Sequence, residues 1–201
     1  MTHCPARIGG PTGIAWVARG RCQSEGSISL LTIGHCQDAR DQLSGRLVRA
    51  GVRRLVDVRR YPGSRAHPDV TRDALAGWLP ELQIDYRWEE RLGGRRRLPA
   101  GEPVADSWWQ VAQFAAYAAH TRTSEFTAAL QSVLVAARDE PVAVMCSEYL
   151  WWRCHRRLIA DVAVLAHQAT VQHVMPDGRL MAHEPAAGAR LGPDGAVRWP
   201  G

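Results

Sequence analysis

The chain has 201 residues, with 25 basic and 20 acidic side chains and a formal net charge of +5. All 25 basic residues are arginine, so no internal lysine can form a Schiff base with a carbonyl substrate. The same absence excludes a Walker-type phosphate loop and a kinase-like Lys–Glu pair. The length suits one domain with a sizeable core, and the positive charge is compatible with anionic partners.

No apolar stretch approaches the length of a membrane span, and the first residues lack the apolar core of a signal peptide. We therefore expect a cytoplasmic protein that does not enter a membrane. Its five cysteines stand at scattered spacings, which argues against a disulfide framework. Free thiols, a metal site or a reactive thiol are the alternatives for a reducing compartment.

Strand and helix patterns alternate through the middle of the chain, between two ends rich in glycine and proline. The ends predict a flexible N-terminal arm (1–27) and a flexible C-terminal tail (185–201). The patterns between them predict strands at 29–33, 54–59, 84–88, 141–146 and 170–174, helices at 37–50, 71–82, 107–120, 124–138 and 151–167, and a hairpin return at 180–183. This alternation favours a single α/β domain over residues 28–184, with a mostly parallel central sheet flanked by helices.

Polar side chains cluster where the predicted strands end, which is where open α/β folds place their sites. Taken in chain order, the candidates are His35, then Asp57, Arg59 and Arg65, then Cys146 and Glu148, and finally Cys154, His155 and Arg156 at the start of a helix. Residues of these types converging on neighbouring strand ends predict one shared, enzyme-like pocket.

The order of these motifs resembles the family known as domain of unknown function 488. The resemblance covers residues 30–183 and rests on Thr32-Ile-Gly-His35, Leu55-Val-Asp-Val-Arg59, Ser64-Arg65, Leu92-Gly-Gly94, Met145-Cys-Ser-Glu148 and Cys154-His-Arg156. It implies an α/β fold and a set of site positions, but no established reaction. The family usually carries serine after the Gly-His pair, whereas this chain has Cys36, an additional thiol at the first strand end.

The leading hypothesis is an enzyme, a hydrolase acting on a nucleotide, DNA or RNA. Arginine binds phosphate through its planar fork, so Arg59, Arg65 and Arg156 would hold the anionic substrate. Asp57 or Glu148 would activate water or stabilise a sugar cation in N-glycosidic hydrolysis, as in a DNA-repair glycosylase. Without lysine, such an enzyme would release a base and leave the strand intact.

A second hypothesis is a thiol- or metal-dependent enzyme centred on Cys146 and Cys154. A helix N-terminus and nearby arginines lower the pKa of a thiol, so Cys154 is a candidate nucleophile for redox or sulfur-transfer chemistry. Metal ligation by Cys146, Cys154 and His155 stays an alternative, although their spacing differs from the short Cys pairs of structural zinc. No cofactor is predicted. The third hypothesis is a non-catalytic module that binds an anion or nucleic acid.

Two further features receive roles, and the oligomeric state is left unassigned. Gly93 and Gly94, which precede three consecutive arginines, permit close backbone approach and predict a substrate-binding loop. Asp161 shares a helix face with Cys154, so we expect it to be partly buried, as structural support that orients Arg65 or His155.

Overall fold

The computed structural model describes residues 27–63, 66–98 and 105–201. The predicted N-terminal arm therefore lies outside the described residues except for its last position, and so does the candidate Arg65. In the described ranges, no helix combines the length and apolar character that a membrane crossing requires.

One six-stranded sheet organises the domain, in the order β3-β2-β4-β1-β5-β6. Its strands are β1 (Ser29–Gly34), β2 (Arg54–Asp57), β3 (Asp85–Trp88), β4 (Val142–Cys146), β5 (Thr170–Val174) and β6 (Leu180–Ala182). Every neighbouring pair is parallel except β5 and β6, which form the predicted hairpin. The prediction of a single α/β domain with a mostly parallel sheet is confirmed.

Helices cover both faces of the sheet, which explains why its central strands are continuous apolar runs. They are α1 (Arg40–Arg49), α2 (Arg72–Trp78), α3 (Ala112–His120), α4 (Ser124–Asp139) and α5 (Arg156–His167). One core contains Leu43 and Leu75 of α1 and α2, and the other contains Leu130 and Leu158 of α4 and α5. This packing holds the carboxyl ends of β1, β2 and β4 side by side.

The helix predicted at 151–167 is interrupted just where the candidate cysteine lies. Trp151–Arg153 form a short 3-10 turn, and Cys154 then adopts an extended backbone before α5 begins at Arg156. Because Cys154 is extended at this break, its side chain and that of the next residue, His155, can face the same cluster. The helix predicted at 107–120 is also shorter, beginning at Ala112.

The predicted loose C-terminal tail is wrong, because residues 185–201 pack against the domain. They form a small ribbon of two antiparallel strands, β7 (Arg190–Leu191) and β8 (Val197–Arg198). Trp199 is fully buried, and its Nε1 donates a 2.8 Å hydrogen bond to Oδ2 of Asp161. Gly188, Pro193 and Gly195 lie in turns or bends, while Ala186, Ala189, Val197 and Trp199 join the main core.

Candidate functional site

The β1–β4 pairing continues past the ends of both strands and brings two candidate motifs together. The backbone N–H of His35 donates to the carbonyl of Cys146 at 3.0 Å, and that of Cys36 donates to Ser147 at 2.9 Å. A Cβ on Gly34 would overlap the carbonyl oxygen of Glu148. The glycine is therefore required for the loop after β4 to cross the end of β1.

A carboxylate–arginine pair closes the end of β2. Asp57 is fully buried and accepts hydrogen bonds from Nε of Arg59 at 2.8 Å, from its terminal nitrogen at 2.5 Å and from its backbone N–H at 3.0 Å. The Tyr86 hydroxyl donates a fourth bond at 2.9 Å. These four bonds fill the usual acceptor positions of a carboxylate.

His35 lies against the same arginine. Its Nε2 accepts a 3.1 Å hydrogen bond from Arg59, because a guanidinium group can only donate. Burial and then the charge of Arg59 lower the pKa of His35 to about 3, so the ring is neutral. Burial and the neighbouring Asp57 also raise the pKa of Tyr86 well above its ordinary value. On this side of the site the Asp57 carboxylate is fully hydrogen bonded, whereas the buried Nδ1 of His35 has no hydrogen-bond partner among the described residues.

Two free thiols meet at the end of β4. Cys146 and Cys154 are both buried, and their Sγ atoms lie 2.7 Å apart. Sγ of Cys146 also accepts hydrogen bonds from the backbone N–H of Glu148 at 3.3 Å and from Nε of Arg156 at 3.1 Å. The backbone N–H of Arg156, in the first turn of α5, donates to Sγ of Cys154 at 3.5 Å. The surrounding donors favour negative charge on this sulfur pair.

Arg156 is a buried cation whose acceptors include no carboxylate within the described ranges. Only 1 % of the residue is exposed. Besides Cys146, its guanidinium donates to Oγ1 of Thr32 at 3.3 Å and to the carbonyl of Glu148 at 2.5 Å. A buried charge is costly without an opposite charge, so the sulfur pair is the nearest candidate for its counter-ion.

The pKa values of the two thiols shift in opposite directions. Burial alone would raise the pKa of Cys154, but the hydrogen bond with Cys146 and the charge of Arg156 outweigh it and lower that pKa to about 6. Burial and the same hydrogen bond raise the pKa of Cys146 well above its ordinary value. The pair therefore holds one proton and one negative charge near neutral pH.

His155 presents an unprotonated nitrogen to the thiols. Its Nε2 lies 3.1 Å from the carbonyl of Val58 and must donate, so Nδ1 is the bare nitrogen, 3.4 Å from Sγ of Cys154. Burial lowers the pKa of His155, which keeps the ring neutral. A Cβ on Gly94 would lie 2.9 Å from this Nδ1, and one on Gly93 would crowd the backbone of Arg60. Because these two glycines have no side chain, their loop packs directly against His155 and the backbone of Arg60.

A metal ion would find three ligand atoms here. Sγ of Cys146, Sγ of Cys154 and Nδ1 of His155 lie within 4.8 Å of one another. The bond from Nε2 of His155 to a carbonyl also matches the usual outer contact of a metal-bound histidine. However, two thiolates on one tetrahedral zinc lie about 3.8 Å apart, given a Zn–S bond of about 2.3 Å. The two sulfur atoms lie closer together than that, so they would have to move apart to share an ion.

Glu148 occupies a different environment from Asp57. Its side chain is exposed and lines an open pocket of about 470 Å³. The pocket lining consists of Cys36, Gln37, His67, Ser147, Glu148, Tyr149, Leu150 and Arg153. Since the backbone of Glu148 contacts Cys146, the pocket lies across the loop from the buried thiols.

The predicted site residues therefore form two adjoining buried groups and one exposed carboxylate. Arg59 and Arg156 were predicted to hold phosphate, but both are buried and hydrogen bonded within the protein. The predicted orientation of His155 by Asp161 is wrong. Asp161 instead accepts hydrogen bonds from His183, Trp199 and the backbone of Ala186.

Sequence reasoning gave no role in the site to four residues that complete it: Thr32, Tyr86, His173 and His183. Thr32 is a single polar position in the apolar strand β1, and Tyr86 lies on the half-exposed strand β3. Thr32 and His173 pair across β1 and β5, which their shared position in two buried strands could have indicated. No pattern marked His183, which follows a short exposed strand.

Comparisons with curated proteins and with solved structures gave no match. A comparison with protein-family profiles matched residues 40–163, under the description "Domain of unknown function DUF488". The matched region runs from α1 through most of α5 and includes Asp57, Arg59 and the thiol pair, while His35 lies just before it. The chain therefore belongs to the DUF488 family.

Proposed function

We propose that the protein is a thiol-dependent oxidoreductase in which Cys154 and Cys146 exchange disulfide bonds with a substrate. The buried Arg156, with sulfur atoms in place of a carboxylate partner, is the observation that carries this proposal. A guanidinium held in this way stabilises a thiolate, and the thiolate is the form that attacks disulfides. The reducing cytoplasm would return the pair to its dithiol form.

The reaction proceeds in two balanced steps. The Cys154 thiolate attacks one sulfur of a substrate disulfide, whose S–S bond breaks and whose other sulfur leaves as a thiolate and takes up a proton. Arg156 then lacks its counter-ion, which favours ionisation of Cys146. Cys146 attacks Sγ of Cys154, the second substrate thiol leaves, and the enzyme retains a Cys146–Cys154 disulfide. The substrate gains the two electrons that the thiol pair loses.

His155 supports the proton transfers in this scheme. Its bare Nδ1 lies 3.4 Å from Sγ of Cys154 and within 4.8 Å of Sγ of Cys146, which is the thiol that must lose its proton before the second step. The carbonyl of Val58 fixes the ring in the tautomer that leaves this nitrogen free to accept. The neutral ring therefore acts as a local base and returns the proton to a departing thiolate.

The first test measures the redox state of each cysteine separately. The full chain is equilibrated in buffers of reduced and oxidised dithiothreitol, and the cysteines are located by mass spectrometry after cleavage at Trp152 or Arg153, which lie between them. We expect a Cys146–Cys154 disulfide that forms at one midpoint potential. In Cys146→Ser, a small aromatic disulfide substrate should be trapped on Cys154.

Cys36→Ser is the matched control, since Cys36 lies outside the thiol pair. It should keep both the disulfide and the turnover of the aromatic disulfide, whereas Cys154→Ser should lose turnover. Turnover unchanged in Cys154→Ser would overturn the proposal. So would stoichiometric zinc in the purified protein, measured by elemental analysis, because a bound metal would occupy both sulfur atoms.

A second candidate function is hydrolysis of a glycosidic bond in a nucleotide or nucleic acid. The exposed Glu148, beside Tyr149 and Arg153 in one pocket, is the observation that favours it. An accessible carboxylate, an arginine and an aromatic ring are the groups that would activate water, hold phosphate and stack a base. Asp57 contributes no second accessible carboxylate, because its acceptor positions are filled.

Binding of a labelled single-stranded oligonucleotide over a range of salt concentrations tests this candidate. Affinity should fall with salt, and Glu148→Gln should keep binding but abolish base release. The released base should leave an intact strand that breaks only after treatment with alkali. Glu125→Gln, which removes an exposed carboxylate on α4, is the control. Equal base release by both variants, or no binding at low salt, would exclude this function.

A further inference from the structure

A continuous chain of hydrogen bonds runs through the core from Arg156 to Asp161. The guanidinium contacts Oγ1 of Thr32 at 3.3 Å, and this hydroxyl contacts Nδ1 of His173 at 2.7 Å. Nε2 of His173 lies 3.0 Å from Nδ1 of His183, and Nε2 of His183 lies 2.7 Å from Oδ1 of Asp161. Each link joins different elements, from α5 to β1, to β5, past β6 and back to α5.

All bonds of this chain point in one direction. The Asp161 carboxylate accepts, so Nε2 of His183 donates, and its Nδ1 accepts from Nε2 of His173. Burial, with the nearby His183 and Arg156, lowers the pKa of His173 to about 2, which leaves its Nδ1 free to accept from Thr32. Thr32 in turn accepts from Arg156. Only this arrangement gives every buried proton of the chain an acceptor.

The chain is sealed from solvent and cannot exchange these partners for water. Its five members are 0–8 % exposed. The Trp151 ring stacks on His173 with centroids 4.1 Å apart and meets His183 edge-on at 5.3 Å. Trp199 and the backbone of Ala186 donate the remaining hydrogen bonds to Asp161. In such an enclosure, the direction of each bond is fixed by its neighbours.

We propose that Asp161 is a positioning residue that acts through His183, His173 and Thr32 to fix the guanidinium of Arg156 against the two sulfur atoms. The oriented Thr32 hydroxyl holds one nitrogen of the guanidinium, which leaves Nε directed at Cys146. The chemical consequence, a thiolate ready for attack, rests on the proposed thiol function, whereas the positioning itself does not.

The test compares Thr32→Val with Thr32→Ser, and uses Thr121→Val as a control. Valine removes the hydroxyl at nearly constant shape and leaves Arg156 without this acceptor, while serine keeps it. Thr121 is a buried threonine whose hydroxyl bonds only to the carbonyl of Ala118. The readout is the rate of Cys154 alkylation against pH, located by mass spectrometry. Besides Arg156, the groups facing this thiol are Cys146, His155 and Tyr117.

We expect the wild-type alkylation midpoint near pH 6 and a midpoint about one pH unit higher in Thr32→Val. At pH 6 this shift would slow alkylation about fivefold, because the thiolate fraction falls by that factor. Thr32→Ser and Thr121→Val should both keep the wild-type midpoint. A wild-type midpoint in Thr32→Val, or equal shifts in the valine and serine variants, would overturn the positioning role, the second because packing alone would then explain the shift.

Nitrogen NMR of the histidine rings provides a readout that does not depend on thiol chemistry. In the wild type, the single proton of His173 should reside on Nε2, and Asp161→Asn should produce a mixture of the two ring forms. A wild-type His173 protonated on Nδ1 would reverse the chain and overturn the proposal. Failure of Cys146 and Cys154 to form a disulfide, with this NMR result intact, would remove only the proposed oxidoreductase function.

Discussion

Two buried arginines stand at neighbouring strand ends, and their charges are neutralised in different ways. Arg59 has a carboxylate partner two residues away, and Asp57 fills its acceptor positions with that arginine and Tyr86. Arg156 has no such partner in the described ranges and donates to a sulfur, a hydroxyl and a carbonyl. Asp57 neutralises the charge of Arg59 whatever the redox state of the cysteines. The charge of Arg156 is neutralised only when one of the two thiols is ionised.

This difference predicts a structural role for the Asp57–Arg59 pair and a chemical role for Arg156. The Asp57–Arg59 pair closes the end of β2 and holds His35 beside it, so its effect is expected on folding. The charge of Arg156 is available to any group that replaces the thiolate, so its effect is expected on reactivity. A buried ion pair is a weak source of net stability, but removing one partner is severely destabilising.

The largest effect should follow from Asp57→Asn. This change leaves Arg59 buried without its counter-charge, and we expect the free energy of unfolding to fall by about 3–5 kcal/mol. Urea denaturation measures the loss. Asp85→Asn is the control, because Asp85 is exposed and its partner Arg54 keeps a second carboxylate, Glu140, so we expect a loss of less than about 1 kcal/mol. Equal losses in the two variants would show that Arg59 does not depend on its carboxylate.

The Cys146–Cys154 thiol pair should instead make the stability of the protein depend on pH. The pKa of Cys154 is about 6 in the folded protein and near 9 when unperturbed, so between these values the unfolded chain binds the extra proton. Stability should therefore rise with pH, by up to about 1.4 kcal/mol per unit, or about 2–3 kcal/mol from pH 7 to 9. Above pH 9 it should fall, since the raised pKa of folded Cys146 keeps a proton that the unfolded chain releases.

Urea denaturation at several pH values in the presence of reductant measures this profile. The buried His35, His155 and His173 have lowered pKa values, so their linked loss of stability occurs below pH 6.5 and leaves the window from pH 7 to 9 clear. The double variant Cys146→Ser, Cys154→Ser should lose the rise. A rise that persists in this variant would assign it to other groups and break the contrast between the two arginines.

Much of the fold could be predicted because each buried parallel strand appears in the sequence as a short apolar run between helices. The apolar runs at Leu30–Ile33 and Val142–Cys146 predict two central strands without information from the rest of the chain. The C-terminal segment was missed for the opposite reason. Its strands have only two residues each, and its order comes from one tryptophan inserted in the core and from hydrogen bonds to Asp161. Such long-range contacts leave no local pattern.

The proximity of several candidate residues could be predicted, but most of their hydrogen-bond partners could not. Convergence at the strand ends follows from topology, and it correctly brought His35, Asp57 and Cys146 together. Which charges neutralise each other depends on side-chain geometry that spacing does not reveal. Asp57 and Arg59 pair even though β2 ends at Asp57, whereas Asp161 bonds to His183 and not to His155.

A smaller effect should come from Trp199→Phe, which tests how the C-terminal segment supports the thiol side. Phenylalanine keeps most of the buried ring but removes the hydrogen bond that Nε1 donates to Asp161. We expect a loss of about 1.5–2 kcal/mol in the free energy of unfolding, because a charged acceptor loses one donor. Trp152→Phe, at an exposed ring, is the control and should change little.

The smallest effect should come from Cys36→Ser, although Cys36 is also a thiol at a strand end. It is half-buried in the open pocket, and its sulfur belongs to neither arginine network. Serine is similar in size, so stability should stay within about 0.5 kcal/mol of the wild type. Alkylation of Cys154 should keep its midpoint near pH 6 in this variant, measured by mass spectrometry. A shifted midpoint would mean that Cys36 in the pocket influences the charge of the buried thiol pair. The comparison of Arg59 with Arg156 would then have to take the pocket residues into account.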